Sequence, residues 1–208
     1  IAYGGGTTRI EGGFADFGAV EVHQADLRLA NSRLESNGTG SRTTTDEDRG
    51  GRGRNAPATI FVRGAQPIIV SNIIANNLGP AMSFDVSSLN SNSVQDLGRS
   101  TGLGHKTDAR PGNQGPLIAG NSIQNLISNS SIAGAQPING MVVRPGNLTT
   151  EGVWDDTDIV HVVQGEIVVP DFQHYGGLRL TSSAEQSLVV KFSGTSAGIS
   201  ATGWPMIR

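Results

Sequence analysis

Apolar positions along this chain come in short bursts, and no stretch carries a helical stripe longer than two turns. The clearest burst contains the kernel Ile69-x-x-Asn72-x-Ile74-x-Asn76. A related kernel lies upstream, at Leu29-Ala30-Asn31-Ser32-Arg33-Leu34-Glu35-Ser36. Another lies downstream, at Ile118-Ala119-Gly120-Asn121-Ser122-Ile123-Gln124-Asn125. In each, an aliphatic residue is followed by a short Asn/Ser turn, a second aliphatic residue, and a polar amide or hydroxyl. A unit of this size, recurring with insertions between copies, predicts a coiled solenoid. Each aliphatic residue then belongs to a short strand and points inward. The Asn sits at a corner, where it tolerates a left-handed backbone and bonds nearby main chain. If the coils stack, the corner amides stack too, and they satisfy polar groups at the rim of an apolar interior. The alternative is three separate strand–turn–strand pieces of a β-sandwich. The kernels recur together with their flanks, which favours the coil.

The pattern around the kernels agrees. Ala19-Val20-Glu21-Val22-His23-Gln24 alternates apolar and polar residues, as a strand with one buried face does. Ala58-Thr59-Ile60-Phe61-Val62-Arg63 precedes the central kernel, and Ala81-Met82-Ser83-Phe84-Asp85-Val86 follows it. Asn139-Gly140-Met141-Val142-Val143-Arg144 holds the corresponding place after the third kernel. Two polar stretches, 37–56 and 87–115, are read as long surface excursions between coils. Strand patterns close together from 139 onward, at Ile159–Val163, Glu166–Val169, Gly177–Leu180, Ser187–Phe192 and Gly198–Gly203, predict tighter, shorter coils over 139–208. The expected fold class is therefore all-β: a parallel β-helix (solenoid) with long polar loop excursions, one domain over 1–208.

Composition narrows the function classes. Apolar residues make up 36% and aromatics 5%, while Gly at 29 of 208 is about twice its average share. That suits many short strands, tight turns and a narrow aliphatic core. The net charge of −3 comes without a basic stripe, so nucleic acid is not an expected partner. The Arg-Gly stretch at 49–54 follows Asp46, Glu47 and Asp48, which oppose such a role. No run has the length of a membrane span. The absence of Cys rules out disulfides and thiolate metal sites. Gly4-Gly5-Gly6 is no phosphate loop, since neither Lys-Ser nor Lys-Thr follows it. The chain starts at Ile1 without a signal peptide, and neither terminus carries a capping pattern. The expectation is a fragment of a longer chain, or one whose open strand edges are covered by another copy.

The kernels, Asn corners and excursions resemble right-handed parallel β-helix proteins of the pectin-lyase-like superfamily. Val153-Trp154-Asp155-Asp156-Thr157-Asp158-Ile159-Val160-His161-Val162-Val163, with the strands after it, looks like a segment found in very large exported bacterial proteins. The resemblance implies an extracellular or cell-surface location and a structural or adhesive role, with stacking end to end into a filament. Adjacent domains of the same chain, or a second copy, are the implied partners. The alternative it carries is a polysaccharide lyase or glycoside hydrolase, or a carbohydrate-binding module without catalysis.

Glycoside hydrolysis needs two carboxylates. Asp155-Asp156 could be the paired Asp-Asp of polygalacturonase-like members, but Gly104-His105-Lys106 precedes the pair where the family has it following. Asn-Thr-Asp and Arg-Ile-Lys are absent. Arg63 and Arg144 lie on strands, with no acids beside them in the sequence pattern, so no catalytic residue is assigned. Asp155, Asp156 and Asp158 form the strongest acidic cluster and are the candidate ligands for Ca2+, a cation that takes oxygen donors. The competing reading is a turn whose Asp side chains cap backbone amides. His23, His105, His161 and His174 show no metal spacing. Trp154, Tyr175 and Trp204 form no stripe for sugar stacking and are read as packing residues. The acceptor patterns at Asn37, Asn129 and Asn147 carry no weight in a bacterial protein.

Overall fold

The computed structural model describes residues 1, 18–38, 40, 56–96, 112–125, 138–170, 176–201 and 203. The chain makes repeated passes of short strands. The first pass holds β1 (Val20–His23), β2 (Arg28–Ala30) and β3 (Arg33–Glu35). The second holds β4 (Ile60–Arg63), β5 (Ile68–Val70) and β6 (Ile73–Ala75). In the third, β7 (Met82–Asp85) runs into a 3-10 turn at Val86–Ser88, and β8 (Leu117–Ala119) and β9 (Ser122–Gln124) follow. The fourth holds β10 (Met141–Arg144), β11 (Gly146–Asn147) and β12 (Gly152–Trp154). The fifth holds β13 (His161–Val163), β14 (Glu166–Val169) and β15 (Leu178–Leu180). The last holds β16 (Val190–Phe192) and β17 (Gly198–Ala201).

Strands pair between passes, never within one. The largest sheet has the order β1-β4-β7-β10-β13-β16, and the smaller sheets follow the same rule. Every pairing between these strands is parallel. Parallel neighbours need a crossover. Here the crossover is the rest of the pass, made of further strands rather than a helix. The protein is all-β with almost no helix, in stacked parallel sheets compatible with a parallel β-helix or another solenoid. The expected match of the Met82 and Met141 segments holds, since these two residues are register partners.

Register converts the sequence bursts into rows. Val20, Ile60, Met82, Met141, His161 and Val190 form one row across the large sheet, and Val22, Val62, Phe84, Val143, Val163 and Phe192 form another. Both face the main core, where Leu34, Ile69, Ile74 and Ile118 from the kernels meet them. The intervening row of Glu21, Phe61, Ser83, Val142, Val162 and Lys191 lies on the opposite face, by the two-residue period of a strand.

The corners differ from the expectation in one respect. Left-handed backbone falls at Asn31 as expected in the first pass, but at Ser71 and Gly120, one residue before the ladder Asn, in the next two, with φ of 51°, 55° and 63°. A strand entering a left-handed corner turns sharply, and Gly, Asn and a small Ser tolerate that conformation. The next residue then projects its side chain along the stacking direction. Asn72 Oδ1 accepts from Ser32 N–H at 3.0 Å, and Asn121 Oδ1 accepts from both Asn72 N–H and Nδ2–H at 3.0 Å. A second ladder begins after the left-handed Ser36 and Asn76. Asn77 Oδ1 accepts from Asn37 N–H at 3.0 Å and Nδ2–H at 2.8 Å. Asn125 Oδ1 accepts from both donors of Asn77 at 3.1 Å, and Asn139 Oδ1 accepts from Asn125 N–H at 2.7 Å.

Asn77 is fully buried and takes part in five hydrogen bonds, counting its Nδ2 donation to Leu34 O. Truncation leaves buried donors on Asn37 without their acceptor, at about 1–3 kcal/mol for each stranded group. Asn77→Ala is therefore expected to lower the unfolding free energy by about 2–4 kcal/mol. Ser32→Ala, at the end of the other ladder, leaves the backbone donor in place and is expected to cost under about 1 kcal/mol. Urea denaturation of both variants checks the contrast.

Candidate functional site

Two places on the molecule gather polar chemistry. The first is the connection from β12 to β13, which carries Asp155, Asp156 and Asp158. The pairing of β12 with β15 sets this connection beside 181–186, and together they border a groove of about 650 Å³. Its walls include Asp155, Asp156, Thr157, Thr181, Ser182 and Glu185.

The acids are turned largely onto the neighbouring pass. Asp155 Oδ2 accepts from Gln114 N–H at 3.0 Å, and Asp158 Oδ2 accepts from Gly120 N–H at 3.0 Å. Asp156 is buried, at 4% exposure. Gln114 and Gly120 stand at opposite ends of β8, so Asp155 and Asp158 point at different targets. Both contacts are carboxylate caps on backbone amides. Among the described residues, no group of three or more His, Asp or Glu side chains is arranged to hold a metal ion.

The second place is the outer face of the six-stranded sheet. Strand pairing sets Asp85 beside Arg144, an acid next to an arginine that lies 59 positions away along the chain. This corrects the sequence expectation that no acid neighbours Arg144, because only the β7–β10 register makes them adjacent. Arg144 Nη1 donates to Ser83 Oγ at 3.0 Å, and Nη2 donates to Val62 O at 2.5 Å. Asp85 Oδ1 lies 3.7 Å from Nη2. The guanidinium also stacks over the Phe61 ring, 4.1 Å from its centroid, which favours a cation held away from water. Burial pulls Arg144 down to about 10; Asp85 opposes that fall and the Arg63 charge adds to it.

Asp85 is itself held in place, accepting from Gly64 N–H at 2.8 Å and Ser88 Oγ–H at 2.5 Å. On the same face Glu21 Oε2 lies 3.0 Å from His23 Nε2, and the His23 ring packs 5.2 Å from Phe61. A cavity of about 610 Å³ opens beside Ser83, Val142, Arg144, Gln164 and Glu166.

The remaining candidates divide simply. His161 and Trp154 are packing residues, buried at 0% and 1% exposure, with rings stacked 5.3 Å apart and 15° from parallel. Burial pushes His161 down to about 4, against weak support from the Ile159 backbone. Asp46, Glu47, Asp48, His105, His174, Tyr175 and Trp204 lie outside the described residues. So does most of the excursion 37–56 and the middle of 87–115. The described start of that second excursion is anchored: Arg28 holds Asp96 by two hydrogen bonds of 2.7 and 2.8 Å, and Val94 packs on the cluster of Val70, Leu117 and Ala119. No described helix is long and apolar enough to cross a membrane.

Removing Arg144 strips a buried charge from a net of fixed partners. Arg144→Ala is expected to cost about 2–4 kcal/mol in urea unfolding. With Asp85→Asn added, the total should fall short of the sum of the two single costs by about 0.5 kcal/mol or more, because the pair is in contact. Independent additivity in that cycle would show that the two groups do not act together. No family model, curated protein or solved structure matches this chain.

Proposed function

We propose that the chain is a structural or adhesive module of an extracellular or cell-surface protein, built as a right-handed parallel β-helix of the pectin-lyase-like kind. The observation that carries this reading is the state of the last pass. Phe192 belongs to an inward-facing row, yet it is 54% exposed; Val189, just before β16, is 40% exposed, and Leu180, at the end of β15 in the preceding pass, is 50% exposed. The first pass differs, with Val22 and Leu34 buried. An apolar row that runs to an uncovered strand edge is a surface for one more β layer. A second copy, or an adjacent domain of the same chain, supplies that layer. A head-to-tail contact that does not close produces a filament. The ladders and continuous core supply the stiffness a rod needs.

A second reading rests on the outer face. Asp85 beside Arg144, and Glu21 beside His23, place carboxylates next to basic side chains on this face. Arg144 alone of these four lines the cavity beside Ser83 and Val142, together with Glu166, and this pairing of a cation and an acid at one opening favours a polysaccharide-active or polysaccharide-binding surface.

Negative-stain microscopy of the purified chain, with added calcium and with chelator, tests the first reading. Fibres or paired rods are expected, and Phe192→Asp should abolish them and shift sedimentation to the monomer. Loss of assembly in chelator alone assigns a calcium role to Asp155, Asp156 and Asp158. Single short rods under every condition would remove self-association and leave the domain-neighbour form. Depolymerisation of any member of a polysaccharide panel, lost in Arg144→Ala, would move the assignment to the second reading.

A further inference from the structure

The buried His161 has no part in either proposed function. It occupies the row otherwise held by Val20, Ile60, Met82, Met141 and Val190. Neither ring nitrogen makes a hydrogen bond of ordinary geometry; the Ile159 backbone is the one polar group that favours the charged ring, and burial outweighs it. Among the described residues, the elements around it direct no charged side chain at it. β10 presents Met141 and Val143, with Arg144 on the opposite face against Phe61. β16 presents Val190, and Lys191 is exposed on the other side of the strand. β12 presents Trp154; the acids flanking that strand are Glu151, paired with Arg179 at 3.0 Å, and Asp155 and Asp156. The depression of His161 comes from burial, with no carboxylate contributing. A charged imidazolium in this place must reach water.

β10 and β12 bring buried Met141 and Trp154 up to the ring. On the other side of β13 lies β16, the end strand of its sheet. The segment 178–201 has no strongly buried side chain, and Leu180, Val189 and Phe192 are already exposed. Lifting it away exposes less new apolar surface than opening any inner pass, so it is the lowest-cost route for water to the ring.

We propose that the C-terminal strands β15, β16 and β17 together form an acid-released cover: protonation of His161 detaches them and presents the β12, β13 and β14 edges for strand pairing. The ring favours the folded state fully only above its unfolded value near 6.5. That contribution falls as pH drops below 6.5 and reaches its floor near 4. Local release belongs to this window, and it changes which edge the stack offers to another β layer.

Hydrogen exchange read by mass spectrometry, corrected for the intrinsic pH dependence of amide exchange, tests this at about pH 7 and about pH 4.8. Peptides covering 178–201 and the amides of β13 should exchange about tenfold faster or more at the lower pH, while β4–β6 keep their protection. His161→Met, which repeats the residue of Met82 and Met141, should remove that difference. The Glu151–Arg179 pair and the Asp155 and Asp158 caps remain in the variant, so any carboxylate contribution stays visible there. An equal acid response in wild type and His161→Met, loss of protection from all strands together, or no response at all would each overturn the proposal. If His161→Met does not fold, the His161 C2–H signal of the wild type decides. A midpoint near 4 that tracks the exchange supports release, and a midpoint near 6.5 rejects it.

Discussion

The structure depends on parallel, in-register stacking of passes that are individually too short to fold. Three- and four-residue strands have little stability alone, because each buries only one or two side chains. Register aligns those side chains into rows, so every pass completes the hydrophobic contact of the next. A one-residue slip in the large sheet would turn Val62 and Phe84 outward and bring Phe61 and Ser83 in. The two Asn ladders oppose such a slip. Asn72 and Asn77 each bond the passes on both sides through backbone and side-chain groups, and those bonds form in one register only. Hydrophobic rows supply the drive for stacking, and the amide ladders set its phase.

Polar groups inside the fold follow one economy. Asn37, Asn72, Asn77 and Asn125 are buried and hydrogen-bonded, which is the state in which buried amides stabilise. Arg144 is saturated in part by a backbone carbonyl and a hydroxyl, with an aromatic face beneath it, so its charge is tolerated outside the apolar column. His161 is the exception within the column. It is a polar ring placed like a methionine, acceptable there because it is neutral at ordinary pH. Its position next to the thinnest pass ties a local electrostatic weakness to the place where the stack is least covered.

The kernels at 29–36, 69–76 and 118–125 were legible because period-two apolar residues and Asn/Ser corners are local signals. Their strands align as the spacing predicts, with Leu29, Ile69 and Ile118 as register partners. The left-handed corner falls on Asn itself at Asn31 and Asn76 but on Ser71 before Asn72, since the sequence cannot say which member of such a pair takes the left-handed backbone and which carries the ladder. The ladder of Asn37, Asn77, Asn125 and Asn139 had a visible signal, an Asn closing each kernel region. Asn139, however, joins it from beyond an insertion that hides its register. Asp155 and Asp158 were singled out as a group because they are close in sequence, and the fold sends them to amides at the two ends of β8.

The sequence by itself determined the class of the protein: short strands, no helices, repeated passes and a narrow aliphatic core. Those properties reside in composition and in spacing over a few residues. Only the tertiary structure decided which distant residues became neighbours. Asp85 meets Arg144, Arg28 meets Asp96, Trp154 covers His161, and Phe192 is left at an open edge. Parallel pairing joins residues separated by an entire pass, and the passes here differ in length because of their insertions. Such contacts have no fixed sequence spacing, and they exist only once the register is set.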